Sequence, residues 1–168
     1  PKELLKFETV FERMRFEYGY GSVICEQDWG FDRDWQAVPI DWRNVQHWGM
    51  MKLDLMFFED DTSARIVDYK TGKKFGNEMK HNDQGQMYTI GAFLRYPKLE
   101  YIRTEFWYLD KGEVLDNSYT RAQAMVFLPK LEKRADEFTR MVRFDPSPSQ
   151  QNCKWCAYAE SGECEYAA

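Results

Sequence analysis

Asp68 and Lys70 stand two residues apart in Ala64-Arg65-Ile66-Val67-Asp68-Tyr69-Lys70, a run whose apolar and β-branched content predicts a strand. Alternation then sends both side chains from one face and Tyr69 from the other, so a carboxylate and an ammonium share one small space. Asp54 lies in the preceding apolar run, Leu53-Asp54-Leu55-Met56-Phe57-Phe58. The turn-forming Glu59-Asp60-Asp61-Thr62-Ser63 between the two predicts a hairpin that brings Asp54 to the same end of the sheet. Two carboxylates are the usual minimum a protein offers a magnesium ion, which keeps its other positions for water and phosphate oxygens. A lysine beside them can orient or deprotonate a water and offset charge on a pentacovalent phosphate. The chemistry indicated is phosphodiester hydrolysis. An acidic-x-lysine triplet alone is weak: Glu78-Met79-Lys80 repeats it in a polar loop-to-helix region, and a solvated ion pair is the ordinary reading. Asp54, Asp68 and Lys70 differ in being embedded in apolar strands, where a charge is costly unless paired or coordinating.

The elements that must position these groups can be read along the chain. Leu4, Phe7, Phe11, Met14 and Tyr18 recur at helical spacing and predict a first helix over 3–18. A strand follows over 22–31, with Val23, Cys25, Gln27 and Trp29 on one face and Cys25 expected as a buried structural thiol. The hairpin strands are expected at 47–58, with His47 at its start, and 64–70. A glycine-punctuated loop over 71–77 then leads to His81, placed before a helix that Asn82 or Asp83 would cap and Pro97 would stop. A strand over 99–110, a turn at Lys111-Gly112 and an edge strand reaching Tyr119 come next. From Thr120 a helical stripe of Leu128, Leu131, Ala135, Phe138 and Val142 is interrupted at Pro129. The tail from Phe144 opens Asp-Pro-Ser-Pro-Ser-Gln-Gln and should be irregular. The fold class is α/β, a mixed central sheet flanked by helices with a C-terminal cysteine tail, in a single domain over 1–168.

Three of the four cysteines crowd the end: Cys153 and Cys156 form a C-x2-C pair and Cys164 follows. Thiolates so spaced suit zinc or an iron–sulfur cluster, each of which wants four ligands. Trp29, Trp35, Trp42 and Trp48 could stack bases, though an aromatic core or covering lid is the stronger reading. Lys130, Lys133, Arg134, Arg140 and Arg143 form a basic helix face, with Glu132, Asp136 and Glu137 interleaved.

Taken together, these pieces resemble the PD-(D/E)XK nucleases, and within them the RecB-like branch that includes CRISPR-associated RecB-like exonucleases. Lys52-Leu53-Asp54, Val67-Asp68-Tyr69-Lys70-Thr71-Gly72 and Gln84-Gly85-Gln86-Met87-Tyr88 carry the resemblance, in the family's order and spacing. It implies a restriction-endonuclease-like core, with Asp54, Asp68 and the Tyr69 carbonyl as ligands of Mg2+ or Mn2+. Lys70 would assist the water, and Gln84 with Tyr88 would position the lysine or the DNA. Glu26 is similar to an acidic residue found before the hairpin in this branch. The branch also uses an upstream histidine. His47 and His81 do not occupy that position, so it is expected to precede Pro1, where the absence of an initiator methionine suggests a processed or cut end. In this branch a C-terminal cysteine trio joins an upstream cysteine around a [4Fe-4S] cluster. Cys153, Cys156 and Cys164 match that trio. His81 reads as a solvent-exposed or phosphate-contacting loop residue.

Composition narrows the class. Hydrophobic residues at 43% exclude a disordered chain, and 30% charged residues without a long apolar run exclude a membrane span and a secretory leader. A net charge of −5 argues against a non-specific basic coat for nucleic acid. The expectation is a cytoplasmic, metal-dependent deoxyribonuclease, more an exonuclease than an endonuclease. It would act on DNA ends or single strands in recombination, repair or phage DNA processing, beside a helicase or recombination partner and away from membranes. The rivals are a non-catalytic nucleic-acid-binding module on the same core and a restriction-type endonuclease.

Overall fold

The hairpin is present, and the sheet is built outward from it. The computed structural model describes residues 2–71 and 76–167, so Gly72 to Phe75 of the glycine loop lie outside the described residues. A 3-10 turn (Lys2–Phe7) leads into α1 (Glu8–Tyr18), followed by β1 (Val23–Phe31), β2 (Ala37–Val38), β3 (Gly49–Phe58) and β4 (Ser63–Lys70). Then come α2 (Glu78–Arg95), β5 (Tyr101–Tyr108), β6 (Glu113–Thr120), α3 (Arg121–Met125) and α4 (Leu128–Thr139). The sheet order is β2-β1-β3-β4-β5-β6. Among the described residues only β4 and β5 pair in parallel, and the long crossover such a pair requires contains α2. This is the expected mixed sheet with helices.

Two apolar layers sandwich the sheet. On the α2 side, Ile90 and Phe93 pack with Met56, Ala64, Ile66, Ile102, Phe106 and Tyr108. On the other side, Phe7 and Met14 pack with Val23, Leu55, Phe57, Val67 and Trp107. Membership of these layers exposes an irregularity that strict alternation did not anticipate. Val23, Leu55 and Phe57 belong to the Phe7 layer, yet Trp29, Phe31, Met51 and Leu53, of the same odd parity, belong to the α2 layer. Both β1 and β3 therefore invert their facing between residues 24 and 29 and between 53 and 56. Glu26, with φ +49°, stands in the left-handed region at the step in β1. The single face expected for Val23, Cys25, Gln27 and Trp29 is thus split, and Cys25 is exposed rather than buried.

Other boundaries shift for local reasons. α2 begins at Glu78, a turn before the expected cap, because the Glu78 carboxylate accepts the Gly76 N–H at 2.8 Å ahead of the first turn. His81 and the Glu78-Met79-Lys80 triplet are therefore helical, not loop. His47 precedes β3 instead of starting it. In the first helical segment Phe7 and Met14 are buried while Leu4, Phe11 and Tyr18 are exposed. The helix from Thr120 is two helices: Thr120 and Gln123 close a capping box on α3, and Pro129 sits in the first turn of α4, where its missing N–H does no harm. Phe138 is exposed and Val142 lies beyond α4, so the predicted stripe does not run its full length.

Residues to Leu131 form one compact unit and residues from Glu132 form a second. The second is more regular than expected of the tail, with α5 (Gln150–Cys153), capped by Ser149 Oγ accepting from Asn152 N at 3.0 Å, and α6 (Ala157–Glu160).

Candidate active site

The β3–β4 ladder pairs Phe58 with Ala64, Phe57 with Arg65, Met56 with Ile66 and Leu55 with Val67, then stops. One further step would set Asp54 opposite Asp68. In place of a main-chain acceptor, Asp54 Oδ2 accepts the Tyr69 N–H at 2.9 Å. Lys70 O accepts from Leu109 N at 3.0 Å, so the Lys70 main chain faces β5 and strand alternation turns the Tyr69 carbonyl toward β3 and Asp54. The seam between the strands thus ends in two carboxylates and a carbonyl.

On the α2 side, Lys70 of β4 and Tyr88 of α2 meet Asp68. Its carboxylate, 4% exposed, has Oδ2 2.6 Å from Lys70 Nζ as an ion pair outside hydrogen-bond angles, and Oδ1 accepts from Tyr88 Oη at 3.0 Å. Gln84 ties the ends together: its Oε1 accepts from Lys70 Nζ at 3.2 Å and its Nε2 donates to Tyr88 Oη at 2.7 Å. Gln84 and Tyr88 meet because they lie one turn apart on one helix face. Burial, then the Asp68 charge, pushes the Tyr88 phenol well above its ordinary range, so it is a fixed donor to Asp68. Tyr69, on the opposite face, is pushed up to about 12, first by burial and then by Cys25 and Asp54.

β5 completes the floor. Parallel pairing sets Phe106 beside Asp68 and Tyr108 beside Lys70. Lys70 Nζ lies 5.5 Å from the Phe106 ring centroid. Gly85 makes the close approach of α2 possible, since a Cβ there would stand 3.2 Å from Phe106 Cε2. Phe106 and Tyr108 escaped the sequence reading because nothing in a linear pattern gives the register of a parallel strand reached through a helix.

These donors suit a hard divalent cation: two carboxylates with a carbonyl, one carboxylate oxygen buried without a hydrogen-bond partner. The PD-(D/E)XK nuclease superfamily matches the chain over residues 16–161. The chain belongs to that superfamily. PD-(D/E)XK proteins are generally metal-dependent nucleases, typically served by Mg2+ or a similar ion. No curated protein matches the chain. Among solved structures, that of SSO0001 is similar with a TM-score of 0.45 and 13% identity, over 100% of this chain and 72% of that one.

The remaining candidates of this PD-(D/E)XK chain are placed as follows. Glu26 falls between the register pairs Cys25–Leu55 and Gln27–Leu53, across from Asp54, and among the described residues no group of three or more His, Cys, Asp or Glu side chains that could hold a metal ion is found. Cys153, Cys156 and Cys164 are free, half-buried thiols of the second unit. His81 shares a hydrogen bond with Tyr108 Oη and is half-buried, which corrects its reading as a solvent-exposed loop residue. Trp29 is core, Trp35 and Trp48 are half-buried, and Trp42 is exposed. On the basic face, Lys133 pairs with Glu137, Arg140 with the half-buried Asp136 and Arg143 with Asp145.

Proposed function

We infer that this chain is a deoxyribonuclease that hydrolyses phosphodiester bonds with Mg2+ or Mn2+ at Asp54, Asp68 and the Tyr69 carbonyl. The observation that carries this reading is the closed network Asp68–Lys70–Gln84–Tyr88 set against Asp54 at the open end of the seam. A binding module has no use for a lysine held 2.6 Å from a buried carboxylate. The bound cation supplies Lewis acidity to the scissile phosphate and acidity to its water. Lys70 orients that water and offsets charge on the phosphate, Gln84 holds the ammonium in place, and Tyr88 keeps the Asp68 carboxylate turned toward the seam.

The substrate proposed is DNA ends or single strands, with exonucleolytic action in recombination, repair or phage DNA processing alongside a helicase or recombination partner in the cytoplasm. The test is cleavage of labelled single- and double-stranded DNA by the full chain with Mg2+ or Mn2+, with EDTA and Lys70→Ala controls. Progressive shortening from ends supports the exonuclease. Cleavage of closed circles indicates an endonuclease. Binding without cleavage in either metal overturns the enzyme reading in favour of a binding module. The cysteine trio belongs to this proposal only if the native protein gathers it, and iron or zinc at stoichiometric level in anaerobically purified protein is the measurement that decides.

A further inference from the structure

Gln84 and Tyr88 are not the only residues that their face of α2 turns toward β4 and β5. Three residues before Gln84 on the same helical stripe is His81, whose ring stacks on Phe106 with centroids 5.4 Å apart and planes 20° from parallel. Its Nδ1 shares a hydrogen bond with Tyr108 Oη. Phe106 is the ring over which the Lys70 ammonium lies, and Tyr108 is the register partner of Lys70 on β5. One histidine therefore holds both β5 side chains that floor the lysine.

We propose that His81 is a positioning residue for Lys70: uncharged, it clamps Phe106 and Tyr108 beneath the ammonium, and on taking up a proton it becomes a second cation that drives Lys70 from Asp68 and Gln84. The inference rests on the nuclease reading of Lys70 but is separable from it. The groups facing His81 are, among the described residues, Lys70 and Asp68 on β4, Tyr108 on β5, and Glu78 and Lys80 on α2. Burial, then the Lys70 charge, holds the imidazole below its ordinary value, so it is neutral at pH 7. The mutual disfavouring runs both ways: a charge that lowers the proton affinity of His81 is itself displaced when His81 is protonated.

The chain has two histidines, which makes the test direct. Proton NMR titration of the imidazole signals, assigned with His47→Gln, should give His81 a midpoint below the model-peptide value. In Lys70→Met, or Lys70→Gln if the former fails to fold, that midpoint should rise by about half a pH unit, the size of a screened charge–charge interaction at this range. In cleavage assays on the full chain, His81→Phe keeps the ring stack but loses the Tyr108 hydrogen bond and the titratable nitrogen. It should lower the neutral-pH rate, because half of the clamp is gone, and flatten the fall in rate on the acid side. An unchanged His81 midpoint in both Lys70 variants overturns the proposal even if the protein cleaves DNA. Coupling in a chain that cleaves nothing overturns the nuclease reading, and with it the catalytic purpose given to His81.

Discussion

Lys70 is the counter-ion of a carboxylate that is 4% exposed, which changes what its removal should do. From sequence, a lysine among metal-binding carboxylates looks dispensable for folding. In the structure Lys70→Ala leaves Asp68 buried with only the Tyr88 hydroxyl as partner. The variant should lose cleavage by about 100-fold or more, the scale on which a single stabilising donor matters to a transition state. It should also lose roughly 2 kcal/mol of stability without metal, less than for a wholly buried pair because the lysine side chain keeps 22% exposure. Denaturation in EDTA checks this, and Asp68→Asn in the Lys70→Ala background should recover part of the loss, the signature of a coupled pair. A single variant as stable as the parent would show that the ion pair contributes nothing. Asp54, Asp68 and Lys70 were legible in sequence from strand period and turn chemistry, whereas Gln84 and Tyr88 entered through the resemblance to a PD-(D/E)XK helix motif. The place of His81 was not, because helix onset depends on the Glu78 carboxylate reaching back to Gly76.

Elements meet at α2 and at the hairpin turn, and each junction has a test. Gly91 lets α2 lie against β3: a Cβ there would stand 2.4 Å from Met51 Sδ and 3.4 Å from Phe31 Cζ. The Met51 tip can swing aside for alanine, whose helix propensity offsets the move, but Gly91→Leu should cost about 1–3 kcal/mol through overpacking. Thermal melting of the two variants separates them, and a Leu variant as stable as the Ala variant would refute the contact. In the turn, Asp60 accepts from Thr62 N, Thr62 Oγ1 and Ser63 Oγ at 2.7, 2.9 and 2.7 Å, and these bonds, Ser63 first, lower its pKa to about 2. A depressed carboxyl stabilises the fold above its unfolded value of 3.8, and the contribution fades as pH falls through about 2. The Asp60 carboxyl-carbon NMR titration should therefore lie below that of a free aspartate, and an ordinary midpoint would mean the turn is not closed this way. The hairpin and its turn were readable from the turn chemistry of 59–63. The facing inversion of β1 and β3 was not, since a left-handed residue other than glycine leaves no compositional trace.

For the whole molecule, the exposed run that follows α4 predicts where the chain is open to attack. Residues 141–148 are exposed and carry no regular secondary structure. Limited trypsin digestion should cut first at Arg140 or Arg143, because exposed backbone without ladder or helix bonds is the preferred substrate of proteases. Mass spectrometry of the first fragments checks it, and initial cleavage at Lys52 or Arg65 in the hairpin strands would contradict the picture. Sequence composition was enough to foresee a packed chain without a membrane-spanning helix, and among the described residues no helix is long and apolar enough to cross a membrane. It could not foresee the two short helices among the late cysteines, since the spacing of thiols says nothing of the backbone between them.

The broken seam between β3 and β4 also supplies an instrument. The Tyr69 amide is tied to a side chain that a cation would recruit, whereas its neighbours are tied to backbone. Its proton should therefore exchange with solvent, and shift in resonance, in step with divalent-ion occupancy while the amides of Ile66 and Val67 stay still, making one backbone position a built-in reporter of metal loading that requires neither substrate nor label.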